Sequence, residues 1–223
     1  MHTVHAVMAV KHRDRAKSRL SAVLSADQRA RLVLAMFADT VEAAAAVPAI
    51  GSLTVVTPDP VVAARARELG AHVLAEPPAD RDPLNTALTA AADDVRHRSG
   101  PVRLLALQAD LPALRTAELV DFLAVAPATR AVVIDHTGTG TSALLAGTAP
   151  DALAPRFGPD SARAHREYGA VVVPGHWPGL RCDVDTPEDL DAVRALGVGV
   201  HTADALREFG ITTHRTDPVR TVC

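Results

Sequence analysis

Val102-Arg103-Leu104-Leu105-Ala106-Leu107-Gln108-Ala109-Asp110-Leu111-Pro112 is the stretch on which the fold turns. From Val102 to Gln108 it is nearly all apolar and does not alternate with polar residues. A strand that is apolar on both sides is buried on both sides, and that places it in a parallel sheet covered by helices. It ends at Asp110 and Pro112, so a carboxylate stands just past the end of a buried strand. In open α/β sheets ligands sit outside the carboxyl ends of the strands.

The neighbouring segments agree. Val4 to Val10 is a short apolar run ending in a basic loop. Ser25 predicts a helix N-cap with Gln28 as its capping-box partner, and Ala30, Val33, Leu34, Phe37 and Val41 follow at helical spacing. Leu53 to Thr57 reads as a strand, Val61 to Leu69 as a helix stopped by Gly70, and His72 to Ala75 as a third strand. Further helices are expected over Leu84 to His97 and Thr116 to Val125. Strands are expected over Ala131 to Asp135, Ser142 to Ala146 and Ala170 to Val173, with a last extended piece over Leu180 to Val184. Thr186 and Pro187 open a final helix as N-cap and first-turn proline. No repeat or internal linker interrupts residues 1–210, which are expected to form one domain. Residues 211–223 read as an unstructured tail. The alternation of strand and helix implies right-handed crossovers.

Composition narrows the function. Of 223 residues, 48% are hydrophobic and only 3% aromatic, so the core is built from Ala, Val and Leu. Too few rings exist to stack bases, and a net charge of -3 offers no basic surplus, so a nucleic-acid binder is not expected. No segment approaches the roughly 20 apolar residues of a membrane span. Cys182 and Cys223 have no metal-ligand or redox spacing, which suits reduced thiols and a cytoplasmic location. The ten histidines show no ligand spacing and are read as surface or loop residues.

Four groups of residues carry chemistry. Lys11, Arg13, Arg15, Lys17 and Arg19 follow the first strand, where cations meet a polyphosphate; a solvated basic loop is the plainer alternative. Asp110 is placed to hold a divalent cation, or to cap a turn. In Asp183-Val184-Asp185 the two carboxylates lie two apart on an extended segment and face one side. Asp183 is the candidate metal partner of Asp110, whereas Asp185 is either a third ligand or a helix cap. The glycines Gly138, Gly140 and Gly158, with hydroxyls at Thr139, Thr141 and Ser161, suit an anion. There Ser161 stands in the first turn of a helix, and a hairpin turn and a loop-to-helix junction are the alternatives. P-loop, dinucleotide-binding and nucleophile-elbow motifs are absent.

These pieces, in this order, resemble a known family. Ala9-Val10-Lys11, Ala16-Lys17-Ser18-Arg19-Leu20, Asp82-Pro83-Leu84-Asn85-Thr86-Ala87, Asp110-Leu111-Pro112, Gly138-Thr139-Gly140-Thr141, Arg156-Phe157-Gly158-Pro159-Asp160-Ser161 and Pro178 to Pro187 together resemble the 2-phospholactate guanylyltransferase family. Actinobacterial members of that family act on phosphoenolpyruvate in the biosynthesis of the deazaflavin coenzyme factor 420. The resemblance implies a nucleotide-diphosphosugar-transferase-like fold, a Rossmann-like three-layer α/β sandwich with a mostly parallel mixed sheet. It implies transfer of GMP from GTP to phosphoenolpyruvate or 2-phospholactate, with pyrophosphate released. Catalytic roles then fall to Lys17, Arg19, Asp110 and Asp183. Thr141, Gly158 and Ser161 contact the phosphorylated acid; Lys11, Lys17, Leu84 and Asn85 contact the nucleotide; and Asp110 and Asp183 hold Mg²⁺, with Asp185 kept as the third candidate ligand that its position offers. Pro83 departs from the glycine of many relatives and has no N–H to offer a base. A partner enzyme that consumes the mixed-anhydride product is expected, and a homodimer is one option for the oligomer. The alternatives are a molybdenum-cofactor or sugar-phosphate nucleotidyltransferase of the same fold, or a non-catalytic GTP-binding regulator.

Overall fold

The structure, a computed structural model, describes residues 3–79, 81–149 and 153–211. Among the described residues, seven strands form one sheet: β1 Val4–Ala9, β2 Ile50–Val56, β3 His72–Leu74, β4 Arg103–Leu107, β5 Arg130–Ile134, β6 Thr141–Ala146 and β7 Val171–Val172. Their order is β3-β2-β1-β4-β6-β5-β7. Pairing is parallel from β3 through β4 and between β5 and β7; β6 runs antiparallel to both its neighbours. The helices are α1 Ala26–Ala45, α2 Pro60–Glu68, α3 Pro83–Ser99, α4 Thr116–Val125, α5 Ser161–Glu167, α6 Pro178–Arg181, α7 Pro187–Leu196 and α8 Val200–Glu208. Among the described residues, no helix is long and apolar enough to cross a membrane.

The decisive strand is apolar on both sides because both sides are covered. Leu105 and Leu107 join Met8, Phe37, Val41, Leu119 and Phe122 in the core under α1 and α4. Leu104 and Ala106 face the other way, into Val7, Ala87, Leu88, Ala91 and Val95 beneath α3. Full burial of each such leucine or phenylalanine contributes about 1.5–3 kcal/mol, so the three layers follow from the sequence of β4. Ser25 caps α1 in a complete capping box, and Asp59 caps α2 with Pro60 in the first turn.

A third core lies to one side. Leu20, Leu24, Leu32 and Met36 meet Cys182, Val184, Leu190, Val193 and Leu206 there. Helix α8 reaches it through a cap supplied from far away in sequence. Gly199 has no side chain to cap with, and Asp39 of α1 accepts the His201 and Thr202 N–H groups at 3.0 and 2.8 Å.

The structure corrects one expectation and adds two details. Leu180 to Val184 is not a continuous extended piece, because α6 occupies Pro178–Arg181 and extended backbone resumes after it. Gly179 makes that short turn fit: a Cβ there would stand 2.1 Å from the Ala113 carbonyl oxygen. Helix α8, Val200–Glu208, is an element that the sequence reading lacks. Of the expected tail, Ile211 packs against the third core and donates its N–H to Leu206 O at 2.9 Å, while residues 212–223 lie outside the described residues.

Candidate active site

The reversed strand decides where the site forms. Because β6 runs against β4, its first residue Thr141 lies at the same sheet edge as the end of β4, and Gln108 N donates to Ser142 O at 2.9 Å. A cleft of about 620 Å³ opens along that edge. Arg19, Leu84, Thr141, Gly158, Ser161, Asp183 and Asp185 line it, so these expected residues come together.

Lys17 and Asp110 do not line the cleft themselves, but Lys17 reaches Asp185, which does, from a backbone in the left-handed conformation, φ 56° and ψ 40°. A lysine held in that region is uncommon, and such strain gathers where surroundings over-determine it. Leu20, fully buried, anchors the 3-10 turn that follows. The Lys17 ammonium pairs with Asp110 and, at 2.8 Å, with Asp185. Burial alone would lower its pKa, but the charges and hydrogen bonds of Asp110 and Asp185 outweigh that and hold it above the ordinary lysine range. The rest of the basic loop divides. Arg13 is tied to Asp59, with its N–H 3.1 Å from Asp59 Oδ2, and Lys11 is exposed and does not line the cleft.

Asp183 is where the carboxylates crowd. Burial first, then the Asp110 charge, push its pKa upward. Asp110 Oδ1 and Asp183 Oδ1 are both buried without a hydrogen-bond partner. Buried acceptors left unpaired are costly, and a cation facing them relieves that cost. Among the described residues no three acidic, histidine or cysteine side chains group around one point. The two unpaired carboxylate oxygens of Asp110 and Asp183 suit a hard cation that completes its sphere with phosphate oxygens and water.

Asp185 does not cap α7. Thr186 does, accepting from Asp189 N at 3.2 Å, while Asp189 accepts the N–H groups of Asp185 and Thr186 at 3.0 and 2.8 Å. The Asp185 carboxylate is thereby left to Lys17.

Asn85 has a role the sequence did not suggest. Its Oδ1 accepts Phe157 N–H at 2.8 Å, and its Nδ2 donates to Phe157 O at 2.9 Å and to both Asp82 oxygens. The amide is buried and bonded within the protein, and it does not line the cleft. It ties the start of α3 to the backbone immediately before Gly158. Pro83 fits as the first residue of that helix, with Asp82 as its cap.

The glycine and hydroxyl segments also differ in detail from expectation. Ser161 N donates to Gly158 O at 3.2 Å and Ala162 N to Thr139 O at 3.0 Å, so these two N–H groups at the start of α5 are spent internally. The Thr141 and Ser161 hydroxyls are among the donors the segment still offers to an anion. Gly158 is needed for its φ of 132°, and Gly140 because a Cβ would fall 2.2 Å from Asp135 Oδ2.

Two histidines expected at the surface belong to the site. His136 lines the cleft, bonds Asp189 Oδ1 through Nε2 at 2.8 Å, and brings Nδ1 to 3.7 Å from Asp183 Oδ1. His165 is fully buried. Its Nδ1 is 3.0 Å from Thr141 Oγ1, and its Nε2 accepts Arg156 N–H at 2.9 Å. Burial, then the charges of Arg130 and Arg156, push its pKa down to about 4. Position 165 follows Ser161 by one helical turn, a spacing that puts both on one face of α5.

Comparison with known proteins adds the following. A family model described as guanylyl transferase CofC like matches residues 4–221. A phosphoenolpyruvate guanylyltransferase of Nocardia farcinica is 58% identical over all of this chain and 99% of its own length. A protein of the same description from Rhodococcus erythropolis is 54% identical over 89% of this chain and 93% of its own. The crystal structure of a nucleotide-diphospho-sugar transferase from Desulfovibrio desulfuricans superposes with a TM-score of 0.66, covering 93% of this chain and 95% of that one at 17% identity. That last likeness concerns the fold.

Proposed function

The chain belongs to the guanylyl transferase CofC-like family and is a guanylyltransferase, and we propose that it uses the cleft to join GMP from GTP to the phosphate of phosphoenolpyruvate. The products are enolpyruvoyl-2-diphospho-5'-guanosine and pyrophosphate, in the biosynthesis of factor 420. 2-Phospholactate is the second acid to test. The observation that carries the site is the meeting of Lys17, Asp110, Asp183 and Asp185 beside a wall of hydroxyls from Thr141 and Ser161.

A phosphate oxygen of the acid attacks the α-phosphorus of GTP. A new P–O–P bond forms and the bond to the β-phosphate oxygen breaks. The attacking phosphate is already anionic near neutral pH, so the protein need supply no general base. Its work is positioning and neutralising charge. Lys17 stays protonated beside its two carboxylates and presents a fixed cation at the polyphosphate. Arg19, on the cleft wall, adds a second. Thr141 and Ser161 hold the acid's anionic groups, and Gly158 lets the backbone bend around them. Asp110 and Asp183 are the residues to hold Mg²⁺, which supplies charge neutralisation at the triphosphate when bound. We place the reaction in the cytoplasm, with the labile mixed anhydride passed to an enzyme that consumes it.

Pyrophosphate release tests this reading. Wild-type protein with Mg²⁺, GTP and phosphoenolpyruvate should turn over, and ATP or chelation of the metal should abolish the signal. Asp110→Asn and Asp183→Asn should each lower kcat by about 10²-fold or more while the circular dichroism spectrum is retained. Wild-type rates from Asp110→Asn, or equal rates with ATP, would overturn it.

A further inference from the structure

His165 meets three neighbours whose chemistry fixes where its proton is. Nε2 lies 2.9 Å from the Arg156 backbone nitrogen. A backbone N–H only donates, so Nε2 is the acceptor and bears no proton. The ring is neutral, since it is fully buried with the Arg130 and Arg156 charges nearby. Its single proton is therefore on Nδ1, 3.0 Å from Thr141 Oγ1 and drawn also toward the Ser161 backbone. A protonated Nδ1 cannot accept, so the Thr141 hydroxyl must accept from it. The Thr141 proton is left over, and among the described residues no acceptor takes it. Thr141 is itself on the cleft wall.

We propose that His165 is a positioning residue that makes the Thr141 hydroxyl an obligate donor toward the anionic group of the phosphorylated acid. The chain of bonds runs one way, from Arg156 N–H to Nε2, from Nδ1–H to Oγ1, and from the hydroxyl to the ligand. Bonds in such a line polarise one another. The site thereby selects a ligand atom that only accepts, a carboxylate or phosphate oxygen, and disfavours one that brings its own proton. The Ser161 and Ala162 N–H groups are spent internally, so this hydroxyl supplies a donor that those two do not. The inference rests on the reading above that the acid lies against Thr141.

Two substitutions separate this role from a merely structural one. The His165→Asn amide reaches the place of Nδ1 and can still donate to Thr141, but leaves Arg156 N–H without its acceptor. The His165→Gln side chain reaches the place of Nε2 and keeps the Arg156 bond, but leaves Thr141 without its donor. The expected result is a KM for phosphoenolpyruvate raised about tenfold or more in His165→Gln and much less in His165→Asn, with the KM for GTP unmoved. In a Thr141→Val background the difference between the two should vanish. The reverse ranking, with His165→Gln the milder variant, would overturn the proposal. Should Thr141→Val alone leave the KM for phosphoenolpyruvate unchanged, the placement of the acid fails instead. If neither His165 variant folds, ¹⁵N chemical shifts of the ring in the wild-type protein decide: a protonated Nε2 would overturn the proposal, and a protonated Nδ1 supports it.

Discussion

Replacing Asn85 by Ala separates a base-reading asparagine from a scaffolding one. The wild-type amide satisfies both the N–H and the C=O of Phe157, at 2.8 and 2.9 Å, in a buried setting. Alanine leaves both backbone groups unpaired. Each orphaned buried group costs about 1–3 kcal/mol, and partial entry of water into the vacated space reduces the sum, so a loss of about 2–4 kcal/mol is expected. Urea denaturation reads that loss as a shift in midpoint at constant slope. A kinetic signature should accompany it. Gly158 and Ser161 follow the released peptide directly, so the KM for phosphoenolpyruvate should rise about tenfold while that for GTP moves less than about twofold. A stability change under about 0.5 kcal/mol together with a large rise in the GTP KM would refute the reasoning, because it would mean the amide contacts the base after all.

The buried imidazole makes stability depend on pH. Its folded pKa of about 4 lies below the unfolded value of 6.5, so its contribution is intact above pH 6.5, is lost as pH falls toward 4, and is flat below. The full loss is about 3 kcal/mol. Asp183, with a raised pKa, titrates in the opposite sense, so the clean measurement is the stability difference between wild type and His165→Gln from pH 7 to 4, which should shrink by about that amount. A difference independent of pH would show that His165 is not buried as a neutral ring. Asp39→Ala should destabilise by about 1–3 kcal/mol, because the N–H groups of His201 and Thr202 lose their acceptor. Hydrogen exchange should speed up in α8 before the sheet, and unchanged protection there would contradict the remote cap.

The elements legible in the sequence were those whose cause is local. The doubly apolar β4, the Ser25 box and the Thr186-Pro187 start each carry their reason within a few residues. Asp110, Asp183, Thr141, Gly158 and Ser161 were legible as candidates because strand ends and glycines mark the ligand edge. What escaped depends on partners distant in the chain. Nothing near Asn85 announces that its amide will close on a peptide 72 residues later. Nothing near Gly199 announces a cap from Asp39. A lone histidine in a polar helix such as α5 looks like a surface residue until the fold puts Arg156 and Thr141 against its two nitrogens. Helix α6 escapes the sequence because Leu180, Cys182 and Val184 alternate with Arg181 and Asp183, which is the pattern of a strand.

The third core joins the segment after β1 to α8. Leu20, three residues past Lys17, rests in the same cluster as Leu206 of α8. A chain halted at Gly199 would keep every residue of the cleft yet lose the floor beneath the turn that carries Lys17. Residues of α8 are thus part of the footing for a cation at position 17, so trimming α8 should disturb the charge geometry beside the cleft without removing any residue that lines it.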